Sequence, residues 1–287
     1  PYCFLFDAAT STAAIKRAYQ FALTAALKKQ LRRSRIGYLG HRVEGMTETT
    51  ANELALNKHF GTRVVGLDSQ VFLNEVEKVM PESVSEEWQL VRSKVGSVVS
   101  AKSDGIESMQ VTRVMRSVIQ ESGLSAVAVG CYPHLMGKVC LAASILGEEG
   151  IPLACEGDVN GALGMLMLTF LSGEPIHNAD LLDPIPDDNA IVFSHCGSGG
   201  FSLAESLDKI TLGPVRLMNC GVCVLFTAKP GPVTLLNIVP GPDGYRMAAI
   251  FGNAIETGMV FPGNPLRVQF HSNYRDVLTW IDRKSVV

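Results

Sequence analysis

The chain has 287 residues, 47% of them apolar and 18% charged. That composition supplies a core for one large domain or two ordinary ones and excludes an intrinsically disordered chain. With 25 Lys and Arg against 28 Asp and Glu, the net charge of −3 leaves no global electrostatic case for a nucleic acid or an anionic membrane as partner.

No stretch reads as a membrane span. The longest apolar helical run, 159–171, covers about 20 Å at about 1.5 Å per residue, short of a hydrocarbon core of about 30 Å. The N-terminus has no basic segment leading into an apolar one, so no signal peptide is indicated. Seven cysteines stand at Cys3, Cys131, Cys140, Cys155, Cys196, Cys220 and Cys223. An odd number without framework spacing fits reduced thiols and a cytoplasmic location. Cys220 and Cys223 form one CxxC without the second pair that structural zinc needs, so two buried strand cysteines are expected. The chain begins Pro1-Tyr2-Cys3 without an initiator Met, as a processed, trimmed or incomplete chain would.

In chain order, 11–33 carries apolar residues at 3–4 spacing and predicts a helix. Its basic end, Lys28, Lys29, Arg32 and Arg33, suits the negative pole of the helix dipole, and no second basic stripe supports nucleic-acid binding. Next come a strand at 35–40, a helix over 48–60 stopped by Gly61, a strand at 62–68 and a helix over 69–80 closed by Pro81. Helices over 85–102 and 105–122, a strand at 125–130, a helix over 135–148 and a strand at 151–155 follow. The alternation implies right-handed βαβ units, hence an α/β fold with a parallel, Rossmann- or flavodoxin-like sheet over 1–150, entered by the N-terminal helix. After about residue 173 the texture changes to short β-rich runs at 190–193, 215–217, 220–227, 233–239, 245–251 and 266–270. Turn signals such as Lys229-Pro230-Gly231-Pro232 and Pro240-Gly241-Pro242-Asp243-Gly244 separate them. A second unit, 151–287, is therefore expected to be a helix followed by a β-rich, barrel-like part.

Parallel sheets bind ligands beyond the carboxyl ends of their strands, which directs attention to 40–46, 131–134 and 156–160. In Glu156-Gly157-Asp158, two carboxylates flank a glycine where a strand passes into a helix. A helix cap explains Asp158 alone, but it does not require Glu156 beside it. Paired carboxylates there suit a hard divalent cation with open positions for substrate. His134, in Cys131-Tyr132-Pro133-His134, and His195, in a glycine-rich turn, each end a strand and read either as a ligand or as a structural histidine. Glycines 197, 199 and 200 lack the Lys of a phosphate loop, and Gly37 to Gly45 does not match GxGxxG.

Four passages together resemble the L-fucose/L-arabinose isomerase superfamily, in its fucose isomerase-like branch. They are Ile36-Gly37-Tyr38-Leu39-Gly40 with Gly45-Met46, the run from Ala154 to Leu163 with Leu171-Ser172-Gly173-Glu174-Pro175, Ser194-His195-Cys196-Gly197, and the run from Lys229 to Leu235. The match spans roughly 30–270. It implies an α/β domain followed by a barrel-like domain, a homo-oligomer, and a small-molecule sugar as substrate. The implied chemistry is aldose–ketose interconversion through an enediol, assisted by Mn²⁺ or another divalent cation. Carried over residue by residue, the resemblance implies Asp158, Glu156 and His134 as metal ligands and catalytic groups, with His195 and Asn160 at the sugar. His134 stands where the family has the acid of a Cys-x-Pro-Glu segment, and the family's C-terminal histidine context is absent from 265–287. Set against the family, the chain is expected to lack an N-terminal domain and a C-terminal end. Three readings follow: an isomerase acting on a deoxy or modified aldose, a non-catalytic carbohydrate-binding or regulatory descendant, or an inactive fragment of a true isomerase.

Overall fold

A computed structural model describes residues 2–8, 10–241 and 244–285 of the chain; Pro1, the Pro242-Asp243 part of the second turn signal and the last two residues lie outside the described residues. The first helix, α1 (Thr12–Leu31), starts where the Ser11 hydroxyl accepts from the Ala14 N–H, and it ends on Lys28 and Lys29 as the dipole argument expects. Strand β1 (Arg35–Leu39) follows. The expected helix over 48–60 is divided into a 3₁₀ turn at Thr47–Thr49 and α2 (Glu53–Phe60), because the Asn52 side chain accepts from the Ala55 N–H and starts a new helix there. Strand β2 (Arg63–Leu67) leads to α3 (Ser69–Lys78), capped by Asp68. Pro81 then opens α4 (Pro81–Arg92) at its first position, where its missing N–H costs nothing.

The helix expected over 85–102 stops at Arg92. Gly96 passes against the Asp208 carbonyl so closely that a Cβ would lie 1.8 Å from it. The chain there becomes the two-residue strand β3 (Ser97–Val98). Helix α5 (Lys102–Ser122) ends at Gly123, whose φ of +59° is the left-handed closure expected of glycine. Strand β4 (Ala126–Val129), a run of turns, α6 (Cys140–Glu148), β5 (Leu153–Ala154) and α7 (Val159–Ser172) complete the first part.

These elements build a four-stranded parallel sheet in the order β2-β1-β4-β5. Alternation along β4 sends Ala126 and Ala128 to one face, against α7 and the end of α1. Val127 and Val129 go to the other, against α5 and α6. The order reverses between β1 and β4, so the crevice at their carboxyl ends is the topological switch point.

The β-rich part contains β6 (Asp180–Ile185), β7 (Ala190–Ser194), β8 (Thr211–Val215), β9 (Cys220–Leu225), β10 (Gly231–Gly241), β11 (Gly244–Ile255) and β12 (Leu266–Phe270), followed by α8 (Tyr274–Ser285). Sequence periodicity did not foreshadow β6 or α8. Five strands pair antiparallel in the order β10-β11-β12-β7-β6, and β3-β8-β9 form a second small sheet. Helix α7 joins the two parts: Val159 and Leu163 pack with the parallel sheet, in a core that also takes in Ile238 of β10. The architecture is thus the expected α/β parallel sheet followed by a β-rich part, with one antiparallel five-stranded sheet and one mixed three-stranded sheet. All seven cysteines are free; both members of the CxxC lie on β9, Cys223 buried and Cys220 half-buried. Among the described residues, no helix is long and apolar enough to cross a membrane.

Candidate metal centre

At the end of β5 the Asp158 N–H donates to the Cys155 carbonyl at 3.1 Å, closing a turn whose central residues, Glu156 and Gly157, have φ of +62° and +72°. Two positive φ angles in succession mark a turn of the I′ kind. Gly157 suits it; Glu156 does not, and holding a long side chain in this region costs about 1 kcal/mol or more. The Gly157 N–H is tied to the Val129 carbonyl at 2.8 Å, so the turn is anchored to the adjacent strand β4. The Cys155 N–H donates to Asn178 Oδ1 at 3.1 Å, which ties the same strand end to the segment leading into β6.

His195 arrives from the other side. Asp180 pairs opposite Ser194 across β6 and β7, so His195 leaves its strand beside the first residue of β6. Its Nε2 lies 3.9 Å from Asp180 Oδ2, and the imidazole is only 4% exposed. Burial pushes the His195 pKa down, opposed by the attraction of Asp180, so the ring is held neutral with a lone pair available. Its Nδ1 is sealed from solvent without a partner among the described residues.

Glu156, Asp180 and His195 each bring one ligand atom within 4.8 Å of the other two. Two carboxylates and one neutral imidazole are a donor set for a divalent cation of intermediate hardness, Mn²⁺ included. Sequence reasoning named Glu156 as a metal ligand and placed His195 at the sugar. It missed Asp180, which sits in a stretch without alternation and reaches the cluster only through the β6–β7 register.

The remaining sequence-derived residues lie elsewhere in the site region. Asp158 caps α7, accepting from the Gly161 N–H at 2.8 Å through Oδ1. His134 is exposed in the turns after β4 and does not join the three-residue cluster. Asn160, in the first turn of α7, is 2% exposed, and neither its Oδ1 nor its Nδ2 has a partner among the described residues. It lines a cavity of about 640 Å³ between α7 and the β10–β11 hairpin, whose wall also includes His177 and Asp180. His177 Nε2 lies 3.0 Å from the Asn264 carbonyl, while its Nδ1 is buried without a partner among the described residues. Burial, with the nearby His195, drives the His177 pKa down to about 4. Around the cluster the Cys196 thiol is pushed up to about 12, chiefly by burial, and stays protonated.

No protein-family model matches the chain. It is similar to the sulfoquinovose isomerase of Alkalicoccus urumqiensis, 29% identical over 273 residues, covering 93% of this chain and 62% of that protein. The sulfoquinovose isomerases of Priestia aryabhattai and Priestia megaterium are each 27% identical over 283 residues, covering 97% of this chain and 64% of theirs. The chain is thus a distant relative of these isomerases along nearly all its length, and it spans somewhat less than two thirds of theirs.

Two outcomes follow from this geometry. Asn tolerates the left-handed region better than Glu and lacks the charge. Glu156→Asn is therefore expected to leave the melting temperature unchanged or raised while weakening Mn²⁺ binding at least about tenfold in a calorimetric titration; unchanged affinity would remove Glu156 from the centre. His177 is neutral in the fold with a pKa of about 4, whereas an unfolded chain takes up that proton below about 6.5. Stability therefore falls as pH drops from 6.5 toward 4, and urea midpoints of His177→Gln should decline less steeply over that window than those of the wild type. Equal slopes would contradict the buried, neutral state.

Proposed function

We propose that this chain carries the metal-holding core of an aldose–ketose isomerase for a modified sugar. The observation that carries the reading is the convergence of Glu156, Asp180 and His195 beyond the strand ends, in a chain whose similar proteins are named sulfoquinovose isomerases. Glu156, Asp180 and His195 would hold the ion, with Mn²⁺ the first choice. When bound, such an ion supplies electrophilic polarisation of neighbouring sugar oxygens and offsets the negative charge that develops on them.

The chain's own residues do the rest. Neutral His195 presents a lone pair instead of a proton, because burial keeps its imidazole uncharged. The Glu156 carboxylate, fixed by its turn, has a second oxygen that can take a proton from one sugar carbon and return it to the next. Asp158 holds the N-terminus of α7 and with it the turn that carries Glu156. It enters this reading as a positioning group, and His134 as a residue of the exposed rim. A cytoplasmic homo-oligomer belongs to the same proposal.

Ketose formation from a panel of deoxy and otherwise modified aldoses, measured on Mn²⁺-loaded protein, tests it. Turnover that chelation abolishes and that His195→Gln lowers by about a hundredfold is expected. Folded protein that neither binds Mn²⁺ nor turns over any of these sugars would overturn the assignment.

A further inference from the structure

Glu156 and Asp180 come from different sheets. The turn of Glu156 follows β5, the last strand of the parallel sheet, and Asp180 opens β6 of the antiparallel one. Between them the chain runs through α7 and then through 175–179, which adopt neither helix nor strand. A stretch of that kind has no ladder of backbone bonds, so individual contacts decide its path. The β6–β7 register fixes Asp180 against the strand that carries His195. It does not fix the approach of Asp180 to Glu156.

One side chain spans that gap. On one side of β5, the Pro152 carbonyl and the Gly157 N–H bond to β4; on the other, no further strand follows among the described residues. Cys155 is 3% exposed, so its N–H needs a partner there, and Asn178 Oδ1 accepts from it at 3.1 Å. Asn178 stands two residues before Asp180, and Cys155 is joined by a peptide bond to Glu156. The Cys155 thiol also lies 3.8 Å from Ser198 Oγ, in the glycine-rich turn three residues beyond His195. Cys155 thus touches the segments of both other candidate ligands. Ligand spacing selects among cations: Ca²⁺ takes oxygens at about 2.3–2.6 Å in pliable geometry, whereas smaller ions demand closer and better-fixed ones.

We infer that Asn178 is a positioning residue for the cation centre: its bond to the Cys155 N–H sets the separation of Glu156 and Asp180, and with it the preference for an ion of Mn²⁺ size over the larger Ca²⁺. The inference rests on the metal-centre reading and deepens it by naming what sets the selectivity. Asn178 itself does not hold the ion.

Three variants of the intact chain test it, by calorimetric titration with Mn²⁺ and separately with Ca²⁺, and by amide hydrogen exchange of the metal-free protein. Asn178→Leu has a similar shape and no acceptor, Asn178→Asp keeps an acceptor oxygen, and Asn178→Gln carries the same amide on a longer arm. In Asn178→Leu the Mn²⁺ affinity should fall about tenfold or more and the Ca²⁺ affinity by less than about threefold, because the larger ion tolerates looser ligands. The ratio of the two affinities should return in Asn178→Asp, whose added charge acts on both ions alike, and stay shifted in Asn178→Gln. A role in stability alone would lower the melting temperature without moving that ratio. Exchange of the Cys155 amide should quicken in Asn178→Leu and slow again in Asn178→Asp. If Asn178→Leu does not fold, the ratio in Asn178→Gln against that in Asn178→Asp decides. An unmoved ratio, or a Cys155 amide exchanging at the wild-type rate in Asn178→Leu, would overturn the inference. Wild type that binds neither ion removes the metal-centre reading and this inference together, whereas wild type that binds Mn²⁺ with a ratio common to all variants removes this inference alone.

Discussion

One buried side chain holds the candidate site together. Asn264 is fully inaccessible; its Oδ1 accepts from the Gly199 N–H at 2.9 Å and its Nδ2 donates to the Val224 carbonyl at 2.7 Å. Its own backbone N–H donates to the His195 carbonyl at 3.2 Å, and its carbonyl accepts from His177 Nε2 at 3.0 Å. Four hydrogen bonds thus bind the glycine-rich turn after β7, the middle of β9, and both buried histidines to one residue. Its neighbour Gly263 lies so close to the His195 carbonyl that an added Cβ would stand 1.8 Å away. Around Asn264, where both side-chain polar atoms and both backbone groups are paired and shielded from water, the network is rigid because an alternative arrangement would strand a buried polar group.

That rigidity makes the unsatisfied atoms nearby informative. His195 Nδ1, His177 Nδ1 and the Asn160 amide are buried without partners among the described residues, whereas both polar atoms of the Asn264 amide are paired. The fold that pairs Asn264 leaves these atoms without partners among the described residues, at a cost of about 1–3 kcal/mol each. The same reasoning applies to Glu156. Its backbone sits in a region that favours glycine, and strain of this sort persists where the surroundings over-determine it. Here the anchors are the bonds from Gly157 to β4 and from Cys155 to Asn178.

Much of the α/β part was legible because its signals are local. Helix α1, strand β1 and helix α7 announce themselves by periodicity and by caps such as Ser11 and Asp158, and the alternation of helices with strands implies the parallel sheet. What could not be read was long-range. The break after α4 depends on Gly96 crossing Asp208, more than a hundred residues away. Asp180 joins the Glu156–His195 cluster only because β6 pairs with β7 in one register, and its surroundings, rich in Asp and Pro, look like an ordinary turn region. Local chemistry pointed to a cap for Asp158, and its Oδ1 makes that capping bond. Glu156 and His195 follow strands of two different sheets, and their meeting is a property of the tertiary fold.

The central claim is that Glu156, Asp180 and His195 form one divalent-cation centre, and pulsed electron paramagnetic resonance of the Mn²⁺-loaded chain tests it most directly. The account requires a nitrogen hyperfine coupling from a single imidazole that disappears in His195→Gln and persists in His134→Gln. A nitrogen signal that survives loss of His195, or vanishes with His134, would place the ion elsewhere and contradict it.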